Sequence, residues 1–369
     1  MCSFVKAAYC PDEPFVLCWT GTCTKQKAGT GMDKKVCIIY TGGTIGMAPT
    51  EQGYAPAPGM LQQALDTAAE LHSPEMPAWE LLTLDPLLDS SDMTVNEWNR
   101  IGEVICREYP RFDGFVVLHG TDTMAYTAAA LSFMLEGLDK PVVLTGSQIP
   151  LCRVRSDGWD NLAAALLIAG EGVAREVSLY FGGRLLRGNR AAKLSADGLQ
   201  AFDSPNYPPL ATAGVDIRYD RAALARPAQS GPLRMTRLRH TPIGVLKVFP
   251  GIQFELFSSI VTEKLRGLVL ETFGAGNIPG AGCGLLPLLE KARRHGAILT
   301  VCSQCTEGAV HLGTYASSSA LKAAGAVSGL DMTTEAAVAK LYYLFSLDLT
   351  PEQIKHWMEQ DLRGELTED

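Results

Sequence analysis

The run Val36–Met47 (VCIIYTGGTIGM) constrains the fold of this chain most strongly. Its apolar, β-branched opening predicts a strand. It stops at two adjacent glycines flanked by Thr41 and Thr44. A strand ending in a glycine turn and a hydroxyl sets that hydroxyl at the carboxyl edge of a sheet, where open α/β sheets bind their ligands. Gly114–Thr123 (GFVVLHGTDT) and Lys140–Gln148 (KPVVLTGSQ) have the same build. A hydrophobic core needs their apolar halves but has no need of the Thr121, Asp122, Thr123, Ser147 and Gln148 that follow.

From Val36 onward short β-branched runs alternate with longer helical patterns, which predicts an α/β protein with a mostly parallel sheet. Strands are expected to begin near Val36, Leu81, Phe115, Val142, Val177, Val245, Leu268 and Ile298. Thr94 and Glu97 fit a capping box ahead of Trp98, Ile101 and Ile105. Thr350, Pro351 and Gln353 supply a cap and the first and third positions of a later helix. The stretch DRAALARPAQSGPLRMTRLRHT, residues 220–241, interrupts the alternation. The expected plan is therefore an extension of no assigned role over 1–33, a larger N-terminal catalytic α/β domain over 34–219, a linker over 220–241, and a smaller C-terminal α/β domain over 242–369. In the larger domain helices flank the mostly parallel sheet. A length of 369 residues suits two domains of roughly 100–200 residues each.

Charge narrows the choice of partners. The net charge is −8, so no general attraction to nucleic acid or anionic membrane is expected. No apolar run approaches the roughly 20 residues of a membrane span. The basic stretch Arg218–Arg239 reads as a solvated linker. Ten cysteines are irregularly spaced and no signal peptide is evident, which favours reduced thiols in the cytoplasm. Cys302 and Cys305 form a lone CxxC without the second pair of a zinc framework, and they read as a strand end.

The glycine loop is neither of the common nucleotide loops. Gly42, Gly43 and Gly46 fall at the first, second and fifth places rather than the first, third and sixth of a dinucleotide fingerprint, and no GxxxxGK[ST] occurs. GxSxG and HExxH are also missing. His119 at a strand end reads as a hydrogen-bonded core residue. What remains is a set of hydroxyls, carboxylates and one lysine. Thr44 can act as a nucleophile if a base takes its proton, Thr121 can relay that proton, and Lys193 in RGNRAAK can receive it if desolvated. Asp122 beside Lys193 would oppose that last step by favouring the charged lysine. Asp122 can equally hold a substrate ammonium, while Ser90 and backbone N–H groups of DSSDM bind a carboxylate. Such a site suits a small zwitterion. Taken singly, each Thr or Ser here could instead cap a helix or close a turn.

Several long motifs in register give the chain a resemblance to the bacterial-type L-asparaginase family, from about Lys35 to the end. They are TGGTIGM, LLDSSDMT, FVVLHGTDTMAYTAAALSFML, KPVVLTGSQIPL, LLRGNRAAK and the closing DLRGELT. TEQGY, Thr50–Tyr54, is similar to the mobile loop of the cytoplasmic type I branch. The resemblance implies hydrolysis of L-asparagine to L-aspartate and ammonia, with no metal and no organic cofactor. It implies Thr44 as nucleophile, Tyr54 on a lid over the substrate, and Thr121, Asp122 and Lys193 as a second catalytic group. Ser90 and Asp122 would hold the α-carboxylate and α-amino groups, with Asp89 and Ser91 beside them and Gly43 and Ser147 also lining the pocket. It further implies a homotetramer built from dimers, with sites near the subunit boundary.

Two features depart from that pattern. Some type I relatives bind a second asparagine as an activator and carry Arg where this chain has Glu271, and Thr where it has Ala192. An acid in place of a carboxylate-binding cation should weaken such a site, so weak or absent activation is expected. The other departure is the extension over 1–33. Rival readings are a glutaminase-asparaginase, an amidotransferase subunit that opens glutamine, and an amino-acid sensor without chemistry. A sensor needs only the binding residues, whereas Thr44, Tyr54, Thr121, Asp122 and Lys193 all stand here together.

Overall fold

The computed structural model describes residues 33–368 apart from 52, 58, 225–230 and 281, so the expected extension lies outside the described residues except for Asp33. Five parallel strands form the heart of the larger sheet: β1 (Lys35–Gly42), β2 (Ala78–Leu88), β3 (Gly114–Leu118), β4 (Val142–Thr145) and β5 (Val177–Phe181). Their spatial order is β2-β1-β3-β4-β5. The chain leaves β1 toward one side to make β2 and returns to the other side to make β3. The carboxyl ends of β1 and β3 therefore flank a topological switch point, the crevice where such sheets take ligands.

Gly182 and Gly183, with φ of 55° and 86°, close a two-residue turn after β5. That is the backbone a tight hairpin demands. The turn sends β6 (Arg184–Arg187) back antiparallel, and β7 (Ala211–Ala213) and β8 (Ile217–Tyr219) extend that antiparallel edge.

The helices between these strands are α1 (Met60–Thr67), α2 (Val95–Glu108), α3 (Met124–Met134) and α4 (Gly158–Glu171). Alternation along β1 divides the core. Val36, Ile38 and Tyr40 pack with Leu61 and Leu65 of α1 and Leu162 and Leu166 of α4. Cys37 and Ile39 face the layer of α2 and α3. Burial on both faces explains why β1 and β3 read as unbroken apolar runs.

The C-terminal sheet holds β9 (Ile243–Lys247), β10 (Gly267–Thr272), β11 (Ile298–Ser303) and β12 (Val327–Ser328), all parallel and in chain order. On one face lie α5 (Leu285–Arg294) and α6 (Ala316–Ala323). On the other lie α7 (Thr334–Ser346) and α8 (Pro351–Met358). Helix α7 also packs on α3, so one apolar layer runs from Phe133 and Met134 through Ala337 and Leu341 to Val269 and Ile298. Helix α3, covered by a sheet on one side and α7 on the other, has no polar stripe because it has no solvent face.

All eight expected strand starts fall within three residues of observed ones, and both expected helix caps form. Thr94 and Thr350 each accept from the backbone of the first turn, while Glu97 and Gln353 reach back to the cap N–H. Part of the stretch 220–241 is tied to the larger domain. Arg234–Met235 pairs antiparallel with Leu135–Glu136, and the Asn99 amide holds both the N–H and the carbonyl of Leu238, at 2.8 and 2.9 Å.

Candidate active site

Three loops meet above the β1/β3 crevice because glycines let them. Gly42 and Gly43 have φ of 122° and 87°, a region that side-chain-bearing residues rarely adopt. A Cβ on Gly42 would stand 2.1 Å from the Leu88 carbonyl oxygen, and one on Gly43 2.4 Å from the Gly120 backbone. A Cβ on Gly120 would in turn meet Ser90 Oγ at 2.6 Å. TGGT, HGTDT and DSSD are thus in close contact. The Thr123 hydroxyl fastens two of them by donating to the Ser90 carbonyl at 2.7 Å.

Thr44 opens the helical turn Thr44–Gly46 directly after β1 and is half-buried. Behind it the chain makes a hairpin, Met47–Thr50 against Gly53–Pro56. Tyr54 stands on the outer strand of that hairpin, exposed, with its hydroxyl bonded to Arg153 Nη1 at 2.7 Å. In this arrangement Arg153 holds the phenol.

Thr121, Asp122 and Lys193 do come together. Lys193 lies 72 positions beyond Thr121, on the short strand Ala192–Lys193 that pairs with Phe202–Asp203. Its Nζ donates to Thr121 Oγ1 at 2.9 Å and to Asp122 Oδ1 at 2.6 Å. The segment before it is fixed by the C-terminal tail. Asn189 donates to the Arg363 carbonyl, and Arg190 to the Gly364 carbonyl and the Asp331 carboxylate.

The remaining expected site residues are placed as follows. Ser90 is buried at the meeting of the loops. Asp89 caps its own turn, accepting from the Ser91 N–H and hydroxyl at 3.0 Å each, so these two side chains satisfy one another. Ser147 is buried beneath the start of α4, and a Cβ on Gly158 would stand 3.2 Å from its own. Gln148 and Arg153 were given no role from the sequence, yet each bonds a site residue. Gln148 carried a visible signal, as a polar residue just after a strand, whereas Arg153 on a loop carried none.

His119 is fully buried and forms a closed chain of hydrogen bonds. Trp98 Nε1 donates to Thr127 Oγ1 at 3.0 Å, Thr127 meets His119 Nε2 at 2.9 Å, and His119 Nδ1 meets the Gly120 carbonyl at 2.7 Å. The carbonyl can only accept, so Nδ1 carries the proton and Nε2 accepts from Thr127. Burial pushes its pKa down to about 4, keeping it neutral. It holds the HGTDT loop and leaves its ring nitrogens no free valence for substrate.

Among the described residues no three His, Cys, Asp or Glu side chains converge as metal ligands. Burial, helped by the nearby Glu271 carboxylate, pushes the Cys302 thiol up to about 12. Such a thiol stays protonated. Glu271, at the end of β10, accepts from Thr334 Oγ1 at 2.7 Å and lies 3.9 Å from Lys247 Nζ.

Comparison with known proteins bears on this geometry. Residues 35–225 match the family model described as asparaginase, N-terminal, and residues 242–358 match that of the glutaminase/asparaginase C-terminal domain. The chain is 48% identical to L-asparaginase 1 of Escherichia coli, over 91% of this chain and 99% of that protein. A 60 kDa lysophospholipase of Mus musculus is 42% identical over 91% of this chain but only 63% of its own length. In structure, the chain superposes on L-asparaginase I of Vibrio cholerae with a TM-score of 0.83, at 46% identity, covering 90% of this chain and 99% of that one.

Proposed function

The chain belongs to the asparaginase family, and on that premise we propose that it hydrolyses L-asparagine to L-aspartate and ammonia. The observation that carries the reading is Lys193 Nζ bonded to both Thr121 and Asp122, on the sheet edge that presents Thr44. In the proposed reaction Lys193 acts as the neutral amine: the Thr44 hydroxyl attacks the side-chain amide carbon while its proton passes to Thr121 and the proton of Thr121 passes to Lys193 Nζ. Backbone N–H groups at the glycine turn meet the developing oxyanion. The carbon–nitrogen bond breaks, ammonia leaves with the proton, and water cleaves the Thr44 ester to release aspartate. Ser90 and Asp122 bind the α-carboxylate and α-amino groups, flanked by Asp89, Ser91, Gly43 and Ser147.

Tyr54 supports the same chemistry only after the hairpin moves. Its hydroxyl must leave Arg153, an exposed and easily broken contact, to stand beside Thr44, and that closure would also exclude water. We further propose a cytoplasmic homotetramer. The six described cysteines are all unpaired, as in a reducing compartment. Exposed Val245, Phe249, Leu256 and Ile260 give the C-terminal half apolar surface for a second copy to cover. No helix among the described residues is long and apolar enough to cross a membrane.

Ammonia release from the purified protein, with L-asparagine and L-glutamine titrated separately, tests the reaction. Turnover of asparagine at a higher kcat/KM than glutamine is expected. The reverse ranking would make it a glutaminase, and a folded protein silent on both would leave only amino-acid sensing.

A further inference from the structure

We propose that a pocket at the amino ends of β10 and β11 binds a short aliphatic carboxylate, its head held by Arg266 and Arg239 and its chain by the apolar floor between them. The pocket has a volume of about 240 Å³. It lies at the end of the C-terminal sheet opposite Glu271, and none of the residues around it belongs to the candidate active site. Nothing in the proposed reaction uses it.

The floor is built by the segment SLDLTP, which joins α7 to α8. Leu347 and Leu349 are half-buried against the main core, whereas Asp348 between them holds its side chain in water, 94% exposed. Phe345 of α7 and Ile354 of α8 stand on either side, and the buried Ile298 closes the floor. Four of these five apolar side chains are aliphatic, which suits a chain of methylenes. The volume lies below the roughly 300–1,000 Å³ of sites for drug-sized ligands, so the occupant is small.

The rim supplies the charge. Arg266 has its backbone pinned on both sides. Its N–H donates to the Pro242 carbonyl at 2.9 Å, and its carbonyl accepts from the Ile298 N–H at 2.8 Å. No ion pair or side-chain hydrogen bond engages its guanidinium among the described residues. Arg239 is anchored by its own N–H on Ser346 Oγ at 2.8 Å, and its guanidinium meets the Asp348 carboxylate at 3.2 Å. Both partners of that pair are exposed, so it holds Arg239 weakly. The lining side chains thus set two guanidinium groups against one carboxylate, a net positive charge over an apolar floor. A guanidinium fork matches a carboxylate with two parallel N–H···O bonds. A cationic ligand would be repelled by Arg266, and a neutral one would leave it without a partner.

Calorimetric titration of the purified protein with sodium hexanoate, beside acetate and hexylammonium, tests the assignment. Hexanoate is expected to saturate at one molecule per chain. Acetate is expected to bind at least tenfold more weakly, since each buried methylene strengthens binding about fourfold. Hexylammonium is expected not to bind. Arg266→Gln alters an exposed side chain outside the core, and thermal unfolding checks that the fold is kept. It is expected to weaken hexanoate about tenfold, the scale of one charge-assisted hydrogen bond. Failure of hexanoate to saturate would overturn the site, and so would acetate binding as tightly as hexanoate. Hexanoate binding undiminished in Arg266→Gln would place the ligand elsewhere and overturn it equally.

Discussion

At the scale of single residues, the site is built from side chains whose partners leave them little freedom, and His119 shows what that implies. In the folded protein its pKa lies at about 4 against 6.5 when free. Between those values the unfolded chain binds a proton that the native state refuses, so stability rises with pH through this window. The full contribution is present above pH 6.5 and is lost as pH falls toward 4, by about 3 kcal/mol for a shift of this size. Urea unfolding midpoints measured from pH 7 to pH 4 should therefore fall less steeply in His119→Gln than in wild type; parallel slopes would show that His119 does not carry the dependence. The buried, hydrogen-bonded character of His119 was legible in the sequence because it ends an apolar strand. Thr121, Asp122 and Lys193 were legible as motif residues. Their junction with Gln148 was not, because a hydrogen bond between residues 27 positions apart depends on how two loops are held rather than on any local spacing.

Among the elements, periodicity carried most of the information. The parallel strands announced themselves because burial on both faces makes them apolar throughout, and the caps of α2 and α8 because their chemistry is local. The antiparallel edge β6-β7-β8 was not foreseen. Its strands are three or four residues long, β6 carries an arginine at each end, and such segments have no period to read. The hairpin bearing Tyr54 is equally short, and its contact with Arg153 spans 99 positions.

The carboxyl end of β10 bears on regulation. Glu271 there has a carboxylate already bonded to Thr334, and the Glu335 carboxyl, raised chiefly by burial, also feels its charge. Lys247 Nζ, 3.9 Å from Glu271, already faces that carboxylate, and the two acids oppose a third, so the α-carboxylate of an effector asparagine meets no uncompensated cation there. Initial rates against asparagine concentration should accordingly follow a hyperbola, with a Hill coefficient of about 1. A sigmoidal curve that Glu271→Ala abolishes would contradict this.

Across the whole molecule, the two halves meet in one apolar layer, and the C-terminal tail closes the assembly over the segment that carries Lys193. Lys340 of α7 and Glu365 of the tail form a wholly buried ion pair at 2.6 Å, and Arg190 reaches Gly364, Thr367 and Asp331. The closing DLRGELT is thus a strap that fixes Asn189 and Arg190, three or four residues from the lysine of the site. The larger sheet supplies the crevice and the hydroxyls, and the far end of the chain holds the residue that completes them. What this architecture is proposed to serve is attack by a single hydroxyl. The most direct measurement is the asparagine kcat of Thr44→Ala beside wild type, with L-aspartate binding followed calorimetrically in both. If Thr44 is the nucleophile, turnover falls at least about 10³-fold while L-aspartate still binds; a folded variant that turns over asparagine at the wild-type rate would contradict it.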